Sequence, residues 1–311
     1  MRARLRALVV ASALVLGAGP RATSAQDQPV IHVAVSAFEA QAGAYYAQEL
    51  GLFKKAGLNI EIQQLQGGET IVAAIVAGAI QIGAGNPVPL ANAHLRGIDV
   101  VLIAAGTIND NTLLPAVSGL VVATNSPLKT GKDFTGKTVA VNTLHSIDQI
   151  AMSSWVDQNG GDAKTVRFLE IPNVTISDAT ADGRVDGAVT ADPGYSAGLA
   201  GGRVRTLANV NAAIAKRFII SAWFATRSWA DQHPDIARKY VAAMNDASAW
   251  AVKNPEAAAV ILGKYMRLQI ARAHERHANT LDPALLQPFI DAAVRYKVLP
   301  TTLDVHDIIW H

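Results

Sequence analysis

Two short β-branched runs, Val33-Ala34-Val35 and Val139-Ala140-Val141, open two stretches with the same pattern of apolar and polar positions. Each run is followed by a polar loop, an amphipathic stretch, a glycine break and a second strand-like run. The second run begins at Ile60 in one copy and at Val166 in the other, at the same spacing from the first strand. The pattern continues: Gly78-Ala79-Ile80-Gln81 leads to Asn86-Pro87 as Gly183-Arg184-Val185-Asp186 leads to Asp192-Pro193. Strand and helix periods alternating in this way predict a βαβαβ unit written twice. Because proline suits the first positions of a helix, the Asn-Pro and Asp-Pro pairs are expected to open the next helices.

The fold class that follows is α/β, two doubly wound lobes joined by two crossover segments. Lobe 1 is expected to comprise residues 26–117 and 222–311, and lobe 2 residues 118–221. Asp99 to Ile108 and Gly119 to Thr124 read as strands, with crossings at Asn109 to Ser118 and Phe218 to Phe224. From Asp231 the chain reads as helical. Asp231-Gln232-His233-Pro234 starts one helix, and Ala251 to Gln269 and Pro283 to Tyr296 are further amphipathic runs expected to pack on lobe 1.

Residues 1–25 change the picture. Arg2, Arg4 and Arg6 precede an apolar run from Ala7 to Ala18, and Thr23-Ser24-Ala25 offers small residues for cleavage. This is the pattern of a secretory signal peptide, with a mature start near Gln26. The chain has no cysteine, which excludes disulfides, thiolate metal sites, a cysteine nucleophile and a lipid-modified cysteine after the signal. A freely soluble monomer outside the cytoplasm is expected. The formal charge is +2 with no basic stripe, so no nucleic-acid partner is expected.

His145 and Ser146 lie side by side before an apolar-periodic stretch and invite a nucleophile-and-base reading. Ser146-Ile147-Asp148-Gln149 instead fits the S-x-x-Q capping box, in which the serine oxygen accepts from the backbone and the glutamine reaches back to the serine N–H. Ser146 is therefore read as an N-cap whose loss costs about 0.5 to 2 kcal/mol. Ile147, Ile150, Ala151 and Trp155 form the buried stripe, with Asp148, Gln149 and Asp157 outward. No G-x-S-x-G elbow is present.

Ligands of open α/β sheets sit beyond the carboxyl ends of the strands, against helix N-termini. The loops at those ends run from Ser36 to Gln41, Gln66 to Thr70 and Asn86-Pro87 in lobe 1. In lobe 2 they run from Asn142 to Ser146, Pro172-Asn173, and Asp192 to Tyr195. Candidate ligand contacts are Phe38, Gly67, Gly68, Glu69, Thr70, Asn86, Thr143, His145, Ser146, Asp192, Tyr195 and Trp223. Gly67-Gly68 lets backbone N–H groups approach a ligand, or is only a turn. Phe38, Tyr195 and Trp223 offer flat walls on which an aromatic carboxylate, an alternative ligand, would stack, with core burial the competing reading for Phe38 and Trp223. Asp192 is either an outward carboxylate or a helix cap. His274 and His277 stand at i and i+3 without the H-E-x-x-H pattern and read as a solvated helix face. No metal site and no cofactor are expected. Glu69, Asp148 and Asp192 beside helix N-termini, with no lysine or arginine in these loops, suit a zwitterion such as taurine, or an aminopyrimidine, better than a bare inorganic anion.

Tyr46 to Leu58 (YAQELGLFKKAGL), Gly136 to Asn142, Trp155 to Gly161 and Gly183 to Ala188 together resemble segments of the solute-binding proteins of nitrate, sulfonate and taurine ABC importers. The resemblance runs through almost the whole mature chain in order. It implies a type II periplasmic binding protein that closes on a small-molecule ligand and delivers it to an ABC permease in the inner membrane, and hence a periplasmic, non-enzymatic protein. Where that family often has Glu-Pro, this chain has Asp192-Pro193. The same superfamily includes enzymes of thiamine-pyrimidine synthesis, which carry a cysteine-rich motif and no export signal. An extracytoplasmic sensor is a third class.

Overall fold

The computed structural model describes residues 29–36, 38–112, 116–270, 272–274 and 276–311. The expected signal peptide lies outside the described residues. The apolar runs become strands buried on both sides. In β1 (Ile31–Val35) and β3 (Ile82–Gly85) nearly every residue is buried, as a sheet covered by helices on both faces requires. β2 (Ile60–Gln64) is an edge strand and more exposed. With β4 (Val100–Ala105) and a late strand, β12 (Ala222–Thr226), these form a sheet in the order β2-β1-β3-β12-β4. The second sheet is built from β6 (Ser118–Ala123), β7 (Thr138–Val141), β8 (Arg167–Glu170), β9 (Gly187–Ala191) and β10 (Val204–Ala208). Its order is β10-β6-β9-β7-β8.

The internal repeat is visible in the register. β1 pairs with β2 in parallel, Ile31 opposite Ile60; β7 pairs with β8 in parallel at the same offset, Thr138 opposite Arg167. In each sheet the third strand lies on the other side of the first, and the next position is an antiparallel strand that has just crossed from the other lobe, β12 in one and β6 in the other. The crossings are pinned together by a two-stranded antiparallel sheet, β5 (Ile108–Asp110) with β11 (Arg217–Ile219).

Helices α1 (Gly43–Glu49), α2 (Leu52–Lys55), α3 (Gly68–Val76) and α4 (Pro87–Leu95) cover the first sheet. In lobe 2 the helices are α5 (Ile147–Gln158), α6 (Asn173–Ala181) and α7 (Gly194–Ala200). Pro87 opens α4 as expected, whereas α7 begins at Gly194, one residue after Pro193. After β12 come α8 (Arg227–Gln232), α9 (Pro234–Lys253), α10 (Pro255–Met266) and α11 (Pro283–Arg295). Tyr240, Met244 and Leu262 of α9 and α10 bury against Tyr45, Tyr46 and Phe53 on one face of lobe 1. Phe289 and Ile290 of α11 share the cluster on the other face with Ile71, Phe224 and also Ile150 of α5. α11 therefore belongs to both lobes, which corrects the expectation that all the C-terminal helices pack on lobe 1. Among the described residues no helix is long and apolar enough to cross a membrane.

Candidate functional site

The chain leaves β1 through a tight turn. The Ser36 backbone N–H donates to Gln41 Oε1 at 2.6 Å and its hydroxyl donates to the Leu65 carbonyl at 3.0 Å. A 3-10 turn from Glu39 to Gln41 follows, entered from a half-buried Phe38. Gly67 adopts φ 81°, and a Cβ on Gly68 would lie 2.8 Å from Pro89 Cγ. Backbone handedness and helix packing thus account for the glycine pair. Glu69 and Thr70 are exposed in the first turn of α3. Asn86 caps α4, its side chain accepting from the Val88 N–H at 3.1 Å.

In lobe 2 the three strand-end loops are tied together by Asn173. Its backbone N–H donates to Asn142 Oδ1 at 3.2 Å, its side-chain amide donates to the Ala191 carbonyl at 2.8 Å, and its Oδ1 accepts from the Thr190 hydroxyl. The capping box expected at Ser146 does not form. Ser146 sits at the N-cap position, but its buried hydroxyl makes no hydrogen bond, and Gln149 reaches back one residue further, accepting from the His145 N–H at 2.9 Å. The cause is the turn before it. His145 takes φ 57° and is exposed, which rotates the entry so that its own N–H, not that of Ser146, faces the glutamine. Asp148 is also not outward. It accepts from the Asn142 N–H across the loop that holds the half-buried Thr143, and burial pushes its carboxyl up to about 7 although part of the residue reaches the surface.

Of the two readings of Asp192, the structure shows the cap, and the carboxylate is buried and not outward. Its Oδ1 accepts from the Ser196 N–H at 3.0 Å and from the Ser196 hydroxyl at 2.6 Å, which caps the first turn of α7, while Oδ2 lies 3.2 Å from His274 Nδ1. His274 belongs to lobe 1, so this contact spans the crevice. The His274 backbone N–H donates to Glu39 Oε1. Glu39 and Asp192 are both buried, and the donor atoms of Glu39, Asp192 and His274 lie within 4.8 Å of one another. Burial pushes the Glu39 carboxyl up to about 7; the His274 N–H opposes the shift, the Asp192 charge adds to it and Arg276 lowers it. Arg276 interacts electrostatically with Asp110, Glu39 and Asp192, and its Nη1 donates to the Asp110 carbonyl at 3.4 Å. The crevice thus carries a histidine, a guanidinium and an acidic pair.

Two expected contacts are not there. Tyr195 is 4% exposed, packs with Val121 and Ile176 inside lobe 2, and its hydroxyl lies 2.6 Å from Thr206 Oγ1. Trp223 is 2% exposed in β12 and meets Tyr240 edge-on at 5.5 Å in the lobe 1 core. Both side chains point into cores because strand and helix alternation sends them there. The segment holding His274 and His277 is not a solvated helix face either. His277 bridges to Thr107 in antiparallel fashion, with its Nε2 2.9 Å from Asn245 Oδ1 and its pKa lowered to about 4 by burial. Glu39, His274 and Arg276 were missed as crevice residues. Glu39 was within reach, since it lies in a strand-end loop; His274 and Arg276 arrive from a distant segment with no local signal.

A cavity on lobe 1, between Ile103, Val241, Leu281 and Trp310, is lined by no Asp, Glu, Lys or Arg side chain and includes none of the crevice groups.

Two doubly wound lobes, two pinned crossings and a polar crevice between strand ends define the architecture of a type II periplasmic binding protein. Residues 39–258 match the NMT1/THI5-like family, and the chain belongs to that family. It is 25% identical over 258 residues to the putative aliphatic sulfonates-binding protein of Escherichia coli, covering 78% of this chain and 76% of that one. It is 24% identical over 208 residues to the taurine-binding periplasmic protein of the same organism, covering 65% and 61%. The crystal structure of the Escherichia coli periplasmic aliphatic sulphonate binding protein superposes with a TM-score of 0.74 at 22% identity, covering 91% of this chain and 93% of that one. These named relatives are binding proteins. The fold is also shared with a desulfurization enzyme, at a TM-score of 0.68 and 16% identity, covering 91% of this chain and 96% of that one.

Proposed function

We propose that this protein is the extracytoplasmic solute-binding component of an ABC importer, taking a small organic ligand of the sulfonate type between its lobes and delivering it to an inner-membrane permease. The observation that carries the reading is the crevice itself, where lobe 1 brings Glu39, His274 and Arg276 against Asp192 of lobe 2. The sequence likeness to sulfonate- and taurine-binding proteins supports the ligand class. Arg276 and the amide-bearing starts of α3 and α5 supply positive potential for an anionic group. The buried acidic pair favours an additional positive charge at the site, and this supports a second reading in which the ligand is zwitterionic or an aminopyrimidine. Strand-end loops around Phe38, Thr70, Asn86 and Thr143 complete the contact surface of this proposal. Export to the periplasm by residues 1–25, without a lipid anchor, and a monomeric state belong to the same reading.

The test is a thermal melt of the mature protein against alkanesulfonates, taurine, aromatic carboxylates and aminopyrimidines. A ligand that closes the lobes, at 100 times its Kd, is expected to stabilise the fold by about 2.7 kcal/mol, a shift of several degrees. Asp192→Asn keeps an acceptor for Ser196 and so preserves the cap. If Asp192 meets an ammonium group, this variant weakens taurine and aminopyrimidines and spares simple sulfonates. No shift with any member of the panel overturns the sulfonate-type reading.

A further inference from the structure

Among the described residues, the acidic pair in the crevice faces one permanent cation and one imidazole, that of His274, 3.2 Å from Asp192 Oδ2. One guanidinium, that of Arg276, is shared among Asp110, Glu39 and Asp192, and Asp110 also pairs with Arg217 at 3.0 Å. Glu39 and Asp192 are 7% and 6% exposed, so water cannot compensate them fully, and buried carboxylates in such a place are paired, protonated or bound to a cation. The third group is an imidazole, whose Nδ1 lies 3.2 Å from Asp192 Oδ2, and one nitrogen beside two carboxylates is a donor set that transition-metal ions take. The partners of Asp192 are divided: Oδ1 is taken by the Ser196 N–H and hydroxyl, and Oδ2 is turned to the histidine at 3.2 Å. Two donors bound to one ion at about 2.1 Å stand roughly 3.0 to 3.4 Å apart, depending on whether the geometry is octahedral or tetrahedral. The Asp192–His274 separation already falls in that range, and Glu39 is within 4.8 Å of both donor atoms.

We propose that Glu39, Asp192 and His274 form a site for a divalent transition-metal ion of the zinc type, assembled from both lobes, with an open coordination position for an anionic oxygen of the ligand. One nitrogen and two carboxylate oxygens suit zinc, manganese, cobalt or nickel and are too few oxygens for calcium, while magnesium favours an all-oxygen shell. Three protein donors leave a fourth position open. A bound divalent ion neutralises the acidic pair, so a sulfonate oxygen meets a metal ion there and no longer two unscreened carboxylates. The metal site stands on the side-chain cluster alone; the anionic oxygen in its open position rests on the sulfonate reading above.

The mature protein, stripped with EDTA and dialysed, is titrated with zinc, manganese, nickel, magnesium and calcium chlorides by calorimetry and thermal melting. One zinc ion per chain is expected, with a raised melting temperature and at least a tenfold preference over magnesium and calcium. Glu39→Gln, which still accepts from the His274 N–H, and His274→Ala are each expected to weaken zinc at least tenfold; circular dichroism checks that both variants fold. Asp192→Asn, which keeps the Ser196 cap, is the third arm. Zinc that fails to bind, or binds equally to all the variants, overturns the site. Ethanesulfonate is expected to shift the melt further in the presence of zinc than in its absence. If the stripped protein responds to taurine and never binds zinc, the metal site is wrong and the binding function stands. If zinc binds and no organic ligand shifts the melt with or without it, the metal site stands and the sulfonate reading fails.

Discussion

Ser146 and Asp148, two residues apart, show how a turn decides what a side chain does. The positive φ of His145 carries the Gln149 bond away from Ser146 and leaves a buried hydroxyl without a partner. Removing an unsatisfied buried hydroxyl forfeits no hydrogen bond. Ser146→Ala is therefore expected to change stability by no more than about 0.5 kcal/mol in urea denaturation, not by the loss typical of an N-cap. Asp148 has its carboxyl raised in the fold, from an ordinary 3.8 to about 7, by burial. Between those two values the native state holds a proton that the unfolded chain has released, so its contribution is fully present below the lower value and is lost as pH rises toward 7. The slope is at most about 1.4 kcal/mol per pH unit. Asp148→Asn is expected to remove that slope, the variant gaining on the parent from pH 4 to pH 7 in parallel denaturant titrations. His277, lowered to about 4 by burial, slopes the opposite way between pH 4 and 6.5 and is present in both proteins, so it cancels in the difference.

At the scale of elements, close packing of helix on strand leaves positions where only glycine fits. A Cβ on Gly83 in β3 would lie 2.7 Å from Ile75 Cδ1 of α3 and 3.2 Å from Phe224 Cε2 of β12. Gly83→Ala is expected to cost about 1 to 3 kcal/mol through overpacking, read as a lower midpoint in urea. The same local rules made most elements readable in advance. The β-branched runs became β1 and β7, β3 and β9 followed as the third strand of each repeat, and Asn86-Pro87 opened α4 with its cap intact. The placement of His277 was not readable in advance. Its conformation is set by the backbone pairing with Thr107, and the N–H of Ala278 donates to the Gly106 carbonyl at 2.8 Å; both partners are far away in sequence.

For the whole molecule, the contacts that span the lobes are few and polar except along α11. Tyr296, just after α11, donates its hydroxyl to Asp157 Oδ2 of lobe 2 at 3.1 Å, and His274 faces Asp192. Lobe 2 has its own apolar clusters on both faces of its sheet and lobe 1 has one on one face, while the cluster on the other face of lobe 1 takes in Ile150 of α5. Removing the polar cross-lobe contacts is thus expected to change the relation of the lobes more than their cores. Tyr296→Phe combined with His274→Ala is expected to enlarge the radius of gyration in solution scattering while far-ultraviolet circular dichroism stays as in the parent. An unchanged radius would mean that the packing of Phe289 and Ile290 with Ile150 is sufficient to hold the lobes.

The duplicated unit, the two crossings and the strand-end loops followed from the sequence alone, because they rest on periodicity and on the ends of strands, which neighbours along the chain specify. Asp192 was found the same way, as a polar residue at the end of a third strand. Which aromatic faces the crevice was not legible: Trp223 and Tyr195 entered cores through the facing of β12 and α7, and that facing is decided by what packs beyond them. Nor was the chemical centre of the crevice legible. Glu39, Asp192 and His274 come from segments separated by most of the chain, and their burial, shared charge and donor distances exist only once the two lobes meet.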